Sequence, residues 1–327
     1  MKICIWITKI FDLGGTKRVV SLLANELVKE HEVTIMTYED RFREDRTMYH
    51  LSEDINVDFI DNSQFVNKHH TPAFCARYLV KKLNDRSGLF NKKSLNPILA
   101  EAIFSKKTRE KWVEYFNSQD YDVILTTASL SLRLAMIAPR LKAATIGWQH
   151  NCYDGYLHVK PVVFWQQENL LQQYLPNLDR YIVLSDYDKR DYMEKLGIDC
   201  EVKINPRSFV SEKKCDVKSK RFLMATRFVY AKGLDLMMES FEEFCKEDSE
   251  WELDIIGDGD LFDQIRADAK KRHLEKRVHF VGYTNEPEKY YLNSSVFLLP
   301  SRWEGWPMVI MEAFEFGLPV IAFHTGA

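Results

Sequence analysis

Val296-Phe297-Leu298-Leu299-Pro300-Ser301-Arg302-Trp303-Glu304-Gly305-Trp306-Pro307-Met308-Val309-Ile310-Met311-Glu312-Ala313-Phe314-Glu315-Phe316-Gly317-Leu318-Pro319-Val320-Ile321-Ala322-Phe323 spells out a complete strand, loop, helix and strand. Val296 to Leu299 is a short apolar run closed by a proline and reads as a buried strand. Glu304 and Gly305 fall in the loop after it. Pro307 is expected as the first helical residue, where its missing N–H costs nothing. The amides around Met308 and Val309 then lack intrahelical acceptors. With the positive end of the helix dipole behind them they form an anion site, most naturally for phosphate.

Outward from this unit the same alternation fills the C-terminal part of the chain. Strands are expected at Phe222 to Thr226, Leu253 to Ile256, Val278 to Val281 and Val320 to Phe323. Helices are expected at Leu234 to Glu247, Leu261 to Arg272 and near Glu288 to Asn293. Strands alternating with helices of this length predict βαβ units and a parallel sheet. In such sheets ligands gather beyond the carboxyl ends of the strands, where Arg227, Gly257-Asp258-Gly259, Gly282-Tyr283 and Glu304 all fall. The N-terminal half begins on the same plan. A strand at Ile3 to Ile7, a loop with Gly14-Gly15, a helix through Val19, Val20, Leu22, Leu23 and Leu27 and a strand at Val33 to Thr37 follow one another. Further strands are expected at Val123 to Thr126, Thr145 to Gly147 and Tyr181 to Ser185, with a long polar helical region between Phe65 and Asn117. The fold class is therefore α/β with two Rossmann-like domains, residues 1–205 and 206–327.

Bulk properties exclude several classes. At 327 residues, 46% hydrophobic and 28% charged, the chain is long enough for two ordinary soluble domains. A net charge of −3 argues against general nucleic-acid binding. The six cysteines form no C-x-x-C pair or metal-ligand spacing and suit a reducing cytosol. The apolar run at the N-terminus is too short for a signal peptide, and no stretch approaches the ~20 apolar residues of a membrane span.

Glu304 and Glu312, eight positions apart across a helix start, resemble the Glu-x7-Glu signature of retaining GT-B glycosyltransferases, family 4 in particular. At about 1.5 Å per residue they lie roughly 12 Å apart along the axis, about the reach of a sugar joined by a diphosphate to a ribose. The resemblance implies two facing Rossmann-like domains and assigns the donor sugar to Glu304 and the ribose hydroxyls to Glu312. It places Gly305, Trp306, Met308 and Val309 at the donor phosphates. Many members carry glycine where Pro307 stands, so one fewer backbone donor reaches the phosphate. Members usually continue through further helices after the strand that ends near Phe323, so the resemblance also implies that the C-terminal end is truncated.

The motif order matches this family along nearly the whole chain. Arg227-Phe228-Val229-Tyr230-Ala231-Lys232-Gly233 puts a guanidinium and an ammonium at a strand end, and both neutralise a diphosphate well. The resemblance gives Arg227 and Lys232 that task. Gly14 and Gly15 resemble the glycine loop of the N-terminal domain, His150 in Trp148-Gln149-His150-Asn151 the histidine near the donor sugar, and Tyr283 the region that meets the base. Gly257-Asp258-Gly259-Asp260 lacks the ligand spacing of a calcium loop and is expected to be a turn. No D-x-D metal signature sits in a suitable loop, so no cofactor and no metal are expected.

The activity implied is transfer of a hexose from a nucleotide diphosphate sugar, a UDP-sugar by analogy, to a glycan or lipid-linked acceptor in cell-surface polysaccharide synthesis. A non-catalytic GT-B subunit that stabilises a partner transferase is the alternative. The basic segment 68–111, with Lys68, Arg77, Lys81, Lys82, Arg86, Lys92, Lys93, Lys106, Lys107, Arg109 and Lys111 among apolar residues, is compatible either with contact to an anionic membrane or with solvated helix faces. The expected location is the cytoplasm, with that segment as the contact to the inner face of the membrane.

Overall fold

The computed structural model describes residues 1–39, 41–65, 71–159, 163–208, 210–248 and 250–325. The chain divides into two compact units, Met1–Pro206 and Arg207–Ala327.

The first unit is built on β1 (Lys2–Trp6), β2 (Glu32–Thr37), β3 (Asn56–Phe59), β4 (Val123–Thr127), β5 (Ala144–Trp148), β6 (Arg180–Val183) and β7 (Glu201–Val202). Their order is β3-β2-β1-β4-β5-β6-β7, with all pairings parallel. Ile3, Cys4, Ile5 and Trp6 are all buried, so both faces of β1 are covered, which is why it reads as an unbroken apolar run. The polar region after Phe65 contains the helices Pro72–Ser87, Asn96–Ile103 and Lys106–Ser118. The last of these docks through Trp112 and Phe116, and the Trp112 ring lies 4.6 Å from Trp6 and 3.8 Å from Phe65. Helix Pro72–Ser87 is different: Asn84 is its one buried residue. Lys68, at the start of the basic segment, lies outside the described residues.

The second unit carries β8 (Arg221–Ala225), β9 (Glu252–Ile256), β10 (Val278–Gly282), β11 (Val296–Leu299) and β12 (Val320–Ala322) in the order β10-β9-β8-β11-β12, again all parallel. Side chains alternate across a strand, so Phe222 and Met224 pack in one apolar layer with Phe241 and Ile255. Leu223 and Ala225 pack in the other with Phe297 and Phe316.

Two expectations need correction. Strands β3 and β7 have no counterpart among the strands anticipated from sequence. Both lie at sheet edges, and one is polar at Asn56 and Asp58 while the other is two residues long. Pro307 is not the first helical residue. With φ −72° and ψ 102° it is extended and caps the helix Met308–Glu315. Its ring fixes φ at a value suited to either role, so ψ decides, and its carbonyl accepts the first bond from Ile310 N–H at 3.0 Å. Among the described residues no helix is long and apolar enough to cross a membrane.

Candidate active site

In the second sheet β9 and β10 lie to one side of β8, and β11 and β12 to the other, so the strand order reverses between β8 and β11. A crevice opens outside the carboxyl ends at such a point. The loops after β8 and β11 form its walls and are tied together. Arg302 N–H donates to Ala231 O at 2.8 Å, and its guanidinium grips Asp235 through bonds of 2.8 and 2.7 Å and lies 4.0 Å from the Tyr230 ring. Gly233, at φ +63°, lets the two loops touch, because a Cβ there would stand 2.0 Å from Pro300 O. The Gly257–Asp260 turn buttresses the same edge: Asp258 O accepts Phe228 N–H at 2.9 Å and Gly282 O accepts Gly257 N–H at 2.8 Å.

Within this frame Lys232 and Glu304 meet. Lys232 Nζ donates to Glu304 Oε1 at 2.5 Å, and Ser301 Oγ donates to the same oxygen at 2.7 Å. Glu304 and Ser301 are buried. Arg227 is exposed at the end of β8, and its guanidinium has no partner among the described residues. Met308 and Val309 N–H likewise find no acceptor among the described residues, and Trp306 Nε1 is buried and unpaired beside them. The loops on either side of one strand gap therefore carry the paired ammonium and buried carboxylate, a guanidinium and two open amides. Gly305 is buried in the same loop.

Glu312 is not beside Glu304. It sits on the second turn of the helix, 5% exposed, where its carboxylate accepts Tyr291 O–H at 2.9 Å and Ser208 O–H at 3.0 Å. Tyr283 stands apart as well, exposed just beyond β10 at the sheet edge. Ser301, Ser208, Tyr291, Arg302 and Asp235 were not anticipated. Only Ser301 and Arg302, inside the motif itself, carried a signal in the sequence. Glu315 belongs to the scaffold: a bond from Ser211 N–H, ahead of Lys214 and Arg207 nearby, holds its carboxyl below the usual range.

In the first sheet the order reverses between β1 and β4. The loop after β1 is held by Glu39, a buried carboxylate that accepts Ile10 N–H at 2.6 Å and Phe11 N–H at 2.9 Å. Gly14 N–H donates to Tyr49 O–H at 2.8 Å. Gly15 opens the helix Gly15–Leu27, and a Cβ there would meet nothing within 4 Å, which leaves room for a ligand against the backbone. Across the gap Ala128 is held at φ +51°, a costly conformation for a residue other than glycine.

His150 follows β5, its ring centroid 4.4 Å from that of Trp148. Both its ring nitrogens and Trp148 Nε1 are buried without a hydrogen-bond partner among the described residues. Burial pushes the imidazole pKa from 6.5 down to about 3, so the ring is neutral near pH 7 and carries one donor and one acceptor. Three orphaned polar atoms at one strand end suit ligand hydroxyls. The unfolded chain protonates His150 below its ordinary pKa while the native chain does not, so stability falls as pH drops through that window. Between pH 7 and 5 the native protein should lose about 2 kcal/mol more than a His150→Gln variant, read from urea midpoints. Equal losses would show that the ring protonates in place.

Residues 13–208 match the model of Glycosyltransferase Family 4, and residues 208–327 that of Glycosyl transferases group 1. The chain is 26% identical over 332 residues to an uncharacterized glycosyltransferase of Haemophilus influenzae, covering 99% of this chain and 80% of that one. The lipopolysaccharide outer core galactosyltransferase WaaB, in its apo form, superposes with a TM-score of 0.64 at 20% identity, covering 98% of this chain and 80% of WaaB. A mutant of S. aureus TarM, in complex with fondaparinux, alpha-GlcNAc-glycerol and UDP, gives a TM-score of 0.74 at 16% identity, covering 99% of this chain and 86% of TarM. At these identities the two structures show the fold, which is GT-B. The family model spans more than half of the chain, and with it the chain belongs to glycosyltransferase family 4: it is a glycosyltransferase enzyme of GT-B fold.

Proposed function

We propose that the protein is a retaining transferase that moves a hexose from a UDP-sugar to a glycan or lipid-linked acceptor in cell-surface polysaccharide synthesis. The observation that carries this reading is the convergence of Lys232, Arg227 and the open Met308 and Val309 amides beside buried Glu304. As the bond from the anomeric carbon to the diphosphate breaks, negative charge grows on the leaving oxygens. Fixed cations and amides stabilise that charge without reorganising. Glu304 accepts from a sugar hydroxyl and keeps Lys232 oriented, while Glu312 bonds the ribose and Tyr283 lies near the base. Neutral His150 hydrogen-bonds a sugar hydroxyl as an uncharged donor or acceptor. The departing diphosphate takes the acceptor's proton on the face it leaves, so the product keeps the donor's configuration and no separate carboxylate base is needed. TarM, solved with UDP, supports the choice of nucleotide.

Two measurements test this. Transfer should survive a chelator, because the protein's own cations serve the leaving group, and complete, reversible loss of turnover in EDTA would remove that part of the mechanism. The product's anomeric proton by NMR should show retention; an inverted product overturns the mechanistic class.

We further propose a cytoplasmic location with peripheral membrane contact through the basic segment. Helix Pro72–Ser87 supports it, exposing Tyr78, Leu79 and Leu83 beside Lys81, Lys82 and Arg86. Binding to anionic vesicles should weaken as salt shortens the screening length from about 30 Å at 0.01 M to about 10 Å at 0.1 M. Absent or salt-independent binding would leave these residues as a solvated face and favour a soluble acceptor.

A further inference from the structure

A cleft of about 400 Å³ lies wholly within the first unit, between helices Pro72–Ser87, Asn96–Ile103 and Ser129–Ile137 and the segment 163–167. None of the residues assigned to the donor lines it. Gln167 does, and it is 7% exposed. Its side-chain amide does not cap the helix Glu168–Tyr174 that it precedes, and makes no hydrogen bond among the described residues. Its amide atoms keep access to the cleft, where a polar group of an entering ligand can bond them.

The charges around it are uneven. Lys81 and Arg133 line the cleft against one carboxylate, Asp85, which Lys81 Nζ already holds at 2.6 Å. Arg133 is half-buried, with its guanidinium 5.9 Å from the Phe104 ring. The rest of the wall is apolar, with Leu132, Phe164 and Trp165, and Trp165 is fixed by its Nε1–H bond to Asp85 O at 3.0 Å. A free sugar presents hydroxyls all round and would leave many of them unmatched here. An anion attached to an apolar chain matches both the surplus positive charge and the apolar wall. One turn before Lys81 and Lys82 on the same helix, Tyr78 and Leu79 are exposed, which extends apolar surface along the helix that bears Lys81.

We propose that this cleft binds the phosphate-bearing apolar end of the acceptor, that is, a phosphate carried on a hydrocarbon chain. The proposal rests on the transferase reading above and narrows its acceptor to the lipid-linked class.

Titration calorimetry on the whole chain tests it, with octyl phosphate below its micelle concentration as the probe and with inorganic phosphate and octyl glucoside as the two half-matches. Octyl phosphate should bind. Arg133→Gln should weaken it at least tenfold and Gln167→Leu severalfold, with UDP affinity on the same samples unchanged. If Arg133→Gln fails to fold, Lys81→Met replaces it, with severalfold weakening expected. Equal binding of octyl glucoside would reduce the cleft to an apolar hollow, and equal binding of inorganic phosphate to a simple anion site; either overturns the proposal. So would unchanged octyl phosphate affinity in the variants. Loss of UDP binding in the native chain is a separate result: it would sink the donor reading while octyl phosphate binding stands or falls by itself.

Discussion

Lys232→Ala is expected to lower kcat by about a hundredfold, the loss of one preorganised donor to developing charge being worth roughly 3 kcal/mol. The lysine side chain is 19% exposed and already oriented by Glu304, so in the proposed mechanism it needs little reorganisation to serve the leaving diphosphate. Its removal leaves Glu304 buried with Ser301 O–H as the remaining donor among the described residues. A stability loss on the order of 1–2 kcal/mol should therefore accompany the kinetic defect, less than for a fully buried pair because the lysine keeps some solvent. Single-turnover rates and thermal melting on one sample separate the two effects. A kcat within threefold of the native value would show that Lys232 serves only to hold the loop.

Glu312→Ala should weaken nucleotide binding by roughly tenfold to a hundredfold, the range for one bond to a charged partner of 1.5 to 3 kcal/mol. Its carboxylate accepts from Tyr291 and Ser208, which fix its orientation. Alanine also strands the buried Tyr291 hydroxyl, so Glu312→Gln, which keeps an acceptor for it, is the cleaner variant. Glu304→Ala should chiefly slow transfer. If calorimetry shows equal loss of nucleotide affinity at Glu304 and Glu312, the division of roles between sugar and ribose is wrong.

The elements of the second unit were legible because each strand there is a short apolar run bounded by glycine, proline or charge. Val296–Leu299 and Leu234–Glu247 have the limits that the sequence predicts. In the first unit β3 and β7 were not, since an edge strand needs only one neighbour and little burial and leaves no long apolar run to read. Glu304, Lys232 and Arg227 could be placed at strand ends from alternation alone. Their meeting could not. Lys232 and Glu304 are 72 residues apart, and it is the adjacency of β8 and β11, with Gly233 against Pro300, that closes the gap.

Local sequence thus determined the α/β class, the parallel strands and the chemical types at their carboxyl ends, because period, breakers and helix starts are properties of near neighbours. Tertiary structure alone decided three things: that Glu304 holds Lys232, that Glu312 rests on Tyr291 and Ser208, and that His150 is neutral. Each depends on burial and on partners distant in the chain, and desolvation is a property of the packed interior that no local pattern encodes.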